Sequence, residues 1–174
     1  LVLNGYNGYG NMAITQGVVQ ISGGNSNLGD PATNGQVLFN GGGAPNAATL
    51  QILSTMNLGN RPFNVNNNTF GAIDVAAGQV VTTAGTFSSG GTGAGIFKTG
   101  TGTLVINNTS GSANMVLTNA GGGTLLTTAT TGTPFGNNTL NIAGGNVQFS
   151  PTAAGTFVIP TVNFANGGRL VLDQ

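Results

Sequence analysis

Pairs of apolar residues spaced i, i+2, set between glycine, asparagine, threonine and serine, recur from one end of this chain to the other. Leu1/Leu3, Val19/Ile21, Leu50/Ile52, Phe63/Val65, Ile73/Val75, Leu104/Ile106, Leu140/Ile142, Val147/Phe149 and Leu170/Leu172 all follow the pattern. Residues two apart in an extended strand share a face, so each pair turns two apolar side chains the same way. The densest run lies between Phe70 and Asn108, where Ala72–Val75, Gln79–Thr82, Gly95–Phe97 and Leu104–Ile106 alternate with turn-tolerant residues. Glutamate is missing and no window of a dozen residues carries apolar spacing of i, i+3, i+4, i+7, so little or no helix is expected.

Further strands are expected at Leu1–Leu3, Met12–Thr15, Val18–Ile21, Gln36–Phe39, Thr49–Leu53, Arg61–Val65, Asn114–Thr118, Thr124–Thr127, Thr139–Ile142, Asn146–Phe149, Thr156–Ile159 and Arg169–Leu172. Short strands at such intervals fit a sandwich, a barrel or a solenoid. Self-similarity favours the solenoid. At an offset of about 103 residues, Leu1–Gly5 falls on Leu104–Asn108 and Asn11–Thr15 on Asn114–Thr118, and Arg169–Asp173 repeats the opening once more. The expected fold is therefore an all-β, right-handed parallel β-helix, one continuous solenoid over 1–174 with repeat copies near 1–103 and 104–174. At roughly 20 residues per turn it would hold about eight or nine rungs and be roughly 40 Å long. Asparagine ladders are expected along its turns.

Only 3% of the residues are charged, against roughly 25% in an average soluble domain. Arg61, Lys98 and Arg169 balance Asp30, Asp74 and Asp173, so no basic patch exists for nucleic acid and no field to steer a charged partner. No apolar run approaches the roughly 20 residues of a spanning helix, and membrane insertion by this segment is not expected. Histidine and cysteine are absent, which removes Ser-His-Asp and Cys-His catalysis, disulfides and the usual zinc sites. The three aspartates are far apart in sequence, and Asp74, between Ile73 and Val75, should point outward. The segment Gly23–Asp30 faintly resembles a calcium nonapeptide but lacks its third glycine and places its aspartate differently. Gly90–Gly95 lacks the helix and acidic residue of a dinucleotide loop. Sequons at Asn67, Asn107 and Asn137 follow from composition, and the patchy Thr-x-Thr spacings from the β-propensity of threonine. Lys98 is expected to cap or solvate a turn. No catalytic, cofactor-binding or metal-binding residue is expected, and no cofactor.

Lys98-Thr99-Gly100-Thr101-Gly102-Thr103-Leu104-Val105-Ile106 resembles the signature K-T-G-x-G-T-L-x-L of the autotransporter-associated β-strand repeat of bacterial passenger domains. Leu1–Ile21 resembles the family's opening, with Tyr9 near its aromatic and Gly17 in its turn, and Leu28-Gly29 resembles its L-G-x-G element. The likeness is firmest over Leu1–Ile21 and Arg61–Asn108. It implies a non-catalytic stalk, structural or adhesive, displayed extracellularly on a Gram-negative cell. The chain would then be a piece of a longer protein, since Leu1–Gly5 reads as the interior of a repeat. Expected partners are a second copy of the chain or the surface of a host or neighbouring cell. The alternatives are a self-assembling fibre or surface layer, and, less favoured, a polysaccharide-active β-helix enzyme.

Overall fold

A computed structural model describes residues 1–8, 10–30, 35–42, 48–109, 115–136, 139–158 and 161–173. Tyr9, Asn114, Asn137 and Ile159, each named above, lie outside the described residues. The chain winds as a β-solenoid. The first coil holds β1 (Val2–Leu3) and β2 (Met12–Ile14). The second holds β3 (Gly17–Ile21), a 3-10 turn at Asn25–Leu28, and β4 (Val37–Phe39). The third holds β5 (Ala48–Ile52), β6 (Met56–Asn57) and β7 (Phe63–Val65), and the fourth β8 (Phe70–Val75), β9 (Val80–Thr83) and β10 (Phe87–Ser89). Then follow β11 (Ala94–Thr99) with β12 (Thr103–Ile106), β13 (Met115–Asn119) with β14 (Thr124–Thr127), β15 (Thr139–Ile142) with β16 (Asn146–Phe149), and β17 (Thr161–Phe164) with β18 (Arg169–Leu172).

All strand pairs are parallel and join one coil to the next. The long sheet runs β1-β3-β5-β8-β11-β13-β15-β17, the second β6-β9-β12-β14-β16-β18, and the third, among the described residues, β2-β4-β7-β10. Six turns thus have a strand in both the long and the second sheet, fewer than the eight or nine rungs expected. Coil length is one reason, and the make-up of the first two coils is the other. Successive partners in the long sheet run Val2, Gln20, Gln51, Asp74 and Thr99, steps of 18, 31, 23 and 25 residues, so most coils exceed 20. In the first two coils, loop residues and the 3-10 turn occupy the arc where the second sheet would begin.

Two finer expectations change. The 103-residue offset superimposes different walls: β1 lies in the long sheet, whereas β12 and β18 lie in the second. The aliphatic pair that both walls need makes their sequences alike. The strand expected at Thr156–Ile159 is instead an isolated bridge from Phe157 to Gly132, and the coil pairs through Thr161–Phe164.

The interior is built of the expected pairs. Val19/Ile21, Leu50/Ile52, Phe63/Val65, Ile73/Val75, Leu104/Ile106, Leu140/Ile142 and Val147/Phe149 are all buried, and the exceptions, Leu1/Leu3 and Leu170/Leu172, belong to the outermost coils. Register stacks them into columns, such as Met56-Val81-Leu104-Leu125-Val147-Leu170 in the second sheet. Phe63 and Phe87 stack in register with centroids 5.1 Å apart. Outside, amide ladders run along the axis: beside a turn, as expected, Asn66 donates to Asn40 Oδ1 at 2.8 Å, and within the long sheet, where none was expected, Asn163 donates to Asn141 Oδ1 at 3.0 Å.

Candidate functional site

The corner between the long and second sheets gathers most of the chain's unusual polar chemistry. Gly100 turns it with φ +71, a left-handed conformation that suits glycine, and its α-carbon sits where a Cβ would come 2.2 Å from Val75 O. Two residues earlier, Lys98 is in phase with Ile96 and therefore points inward. It is fully buried, in the column Leu50-Ile73-Lys98-Asn119-Ile142. Its Nζ donates to Gly100 O at 2.7 Å. A Cβ on Gly123, in the next coil, would lie 2.5 Å from that Nζ and 2.2 Å from Gly102 O, so glycine there leaves room for the ammonium. Asn119, directly above, donates through Nδ2 to Gly123 O at 3.3 Å, Gly144 O at 2.9 Å and Asn146 O at 2.9 Å, while its buried Oδ1 has no hydrogen-bond partner. Lys98 does serve a turn carbonyl, as expected of a cap. It does so from inside the coil, away from solvent.

Burial lowers the Lys98 amine from its ordinary 10.5 to about 8, with the charge of Asp74 pulling the other way. The folded amine is therefore depressed below its unfolded value. Below pH 8 both states hold the proton and the full cost of burying the charge is present. Between about pH 8 and 10.5 the unfolded chain binds a proton the folded chain has shed, so stability climbs with pH. Urea midpoints measured across that window should rise for the parent chain and stay flat for Lys98→Met.

Asp74 lies on the outer face, as expected, in an in-register ladder. Gln20 donates to Gln51 Oε1 at 2.6 Å, Gln51 to Asp74 Oδ1 at 3.1 Å, and Thr99 Oγ1 to Asp74 Oδ2 at 3.0 Å. Its carboxylate and the Lys98 amine thus belong to opposite faces of one sheet. Asp173 accepts from Gln148 at 3.1 Å and Ser150 at 3.4 Å beyond the second sheet, and Asp30 follows the 3-10 turn. The three acids are not brought together. Among the described residues no three metal-ligating side chains of the His, Cys, Asp and Glu types cluster.

Arg61 was not singled out from sequence, and it is the largest fully buried side chain among the described residues. Its guanidinium donates to Asn25 Oδ1 at 2.8 Å, Leu28 O at 2.9 Å, Gly29 O at 3.3 Å, Asn25 O at 3.4 Å and, at close range, to Gly35 O. The oxygens of the loop that resembled a calcium nonapeptide are therefore turned onto an arginine. The available signal was an arginine isolated among uncharged residues and followed by Pro62, which shifts the strand start to Phe63.

The remaining motifs are structural where they are described. Asn107 Oδ1 accepts from the backbone N–H of Thr128 at 3.2 Å and its Oγ1 at 2.9 Å, which ties two coils together. Gly93, within the glycine-rich run, turns with φ +72 just before β11. Buried Asn108 donates to Gly85 O at 2.8 Å. Taken together, these side chains can fasten turns and coils. Compared with family models, curated proteins and solved structures, the chain matches none.

Proposed function

We propose that this chain is a non-catalytic stalk segment of a bacterial cell-surface protein of autotransporter-like type, with a spacing or adhesive role outside the cell. The observation that carries this reading is the use made of the polar side chains. Asp74 and its neighbours form ladders from coil to coil, and Lys98, Asn119 and Arg61 fasten turns from within. Such side chains supply axial cohesion, and the resemblance of Lys98–Ile106 to the passenger repeat supplies the cellular context. Antibodies raised against this chain should label intact cells producing the parent protein, and protease treatment of those cells should remove the label. Labelling only after the cells are opened would overturn the proposal.

A self-assembling fibre is the second reading, favoured by the near absence of charge that would hold two copies apart. Association of purified rods end to end, insensitive to salt and visible by electron microscopy, would select it over a solitary stalk.

A further inference from the structure

The outer face of the long sheet carries a groove of about 400 Å³ whose lining includes Phe70, Phe97, Thr118, Asn141, Asn163 and Ala165. Its origin lies in the register. Phe97, Thr118, Asn141 and Asn163 occupy one outward column on successive coils, so the column steps down from a large ring to small polar side chains. Phe70 leans over the neighbouring column because Gly95, its in-register partner, has no side chain: a Cβ there would lie 3.0 Å from the Phe70 ring. The two rings sit 5.7 Å apart at 58° and wall one end. Ala143 and Ala165 leave the floor open beside the ladder.

We propose that this groove binds an extended, uncharged polysaccharide strand lying along the axis of the solenoid. This deepens the adhesive part of the stalk reading and rests on it. Three features select the ligand class. No charged residue lines the groove, so neither an acidic glycan nor a charged peptide finds a counter-ion. The rings offer apolar faces of the kind that stack on the C–H face of a pyranose, beside a small number of placed polar groups. The ladder places one polar side chain on each of three successive coils, with Thr118 buried, Asn141 half-buried and Asn163 exposed. Asn141 donates to Thr118 Oγ1 at 3.3 Å and Asn163 to Asn141 Oδ1 at 3.0 Å, and Asn163 is exposed to offer its own carbonyl oxygen to a hydroxyl. Coils repeat about every 4.8 Å, a rise that one sugar unit of an extended β-linked chain can follow.

The test is NMR-monitored titration of the intact chain with cellohexaose, laminarihexaose and chitohexaose. A polygalacturonate hexamer and an uncharged hexapeptide complete the panel. At least one neutral hexasaccharide should bind, with shifts confined to β8, β11, β13, β15 and β17 and the residues that directly follow them. Phe97→Ala should weaken that binding about tenfold, and Asn141→Ala should also weaken it, while the urea midpoint shows each variant folded. Failure of all three neutral sugars, preference for the acidic hexamer or the peptide, or binding unchanged in folded Phe97→Ala would overturn the groove. Each of those results leaves cell-surface labelling untouched, so the stalk and its ligand are judged separately.

Discussion

Arg61→Met should lower the stability of the chain by about 3–5 kcal/mol, read as a reduced urea midpoint. Methionine fills much of the same space, so the loss reports the polar contacts of the guanidinium more than lost volume. Without the guanidinium, Leu28 O, Gly29 O and Gly35 O lose a donor inside the protein, and Asn25 loses the partner of its side-chain oxygen. Each buried acceptor left unpaired costs about 1–3 kcal/mol. Arg61→Lys should restore only part of the loss, because an ammonium is a point donor and cannot span acceptors set around a planar fork. Amide hydrogen exchange should report the damage first at Gly29, whose own N–H is held by Ser26 O at 3.3 Å within the same turn. An Arg61→Met chain as stable as the parent would mean that these carbonyls find other donors and that the guanidinium does not organise the loop.

Asn119→Leu should cost about 2–4 kcal/mol by the same reasoning, at the corner between the long and second sheets. One amide nitrogen here serves the carbonyls of Gly123, Gly144 and Asn146, which belong to two successive turns. Leucine matches the apolar neighbours Leu117 and Ile142 but donates nothing. Removing the unpartnered Oδ1 offsets part of the cost. Protection of amides near β14 and β16 should fall together, since one side chain fastens both of their approaches. A gain in stability would show that the apolar fill outweighs the three bonds.

The wall-building residues were legible because period-two alternation states directly which side chains share a face. Asp74, between Ile73 and Val75, was placed outward on that rule and lies there. The same rule applied to Ile96-Phe97-Lys98 puts Lys98 inward, and applied to Leu117-Thr118-Asn119 it puts Asn119 inward. Residue type argued the other way, since charged and amide side chains are mostly exposed. What reverses that preference is a set of turn carbonyls buried by the stacking of coils, and no single turn's sequence reveals them. The assignment of strands to walls was illegible for a related reason. Each wall needs the same aliphatic pair, so β1 and β12 look alike although different sheets hold them. Coil length was hidden too, because glycine-rich arcs such as 22–35 give no sign of how many residues a corner will absorb.

The unequal coil steps carry a consequence for how such a rod can be altered. Gln20 and Gln51 pair in register across 31 residues, while Val2 and Gln20 do so across 18. Phase is set by what lies above and below, and circumference is left free. A foreign peptide spliced between the Arg61-held turn at Asn25–Leu28 and β4 would be carried as a side branch, at a closure cost that grows only with the logarithm of its length.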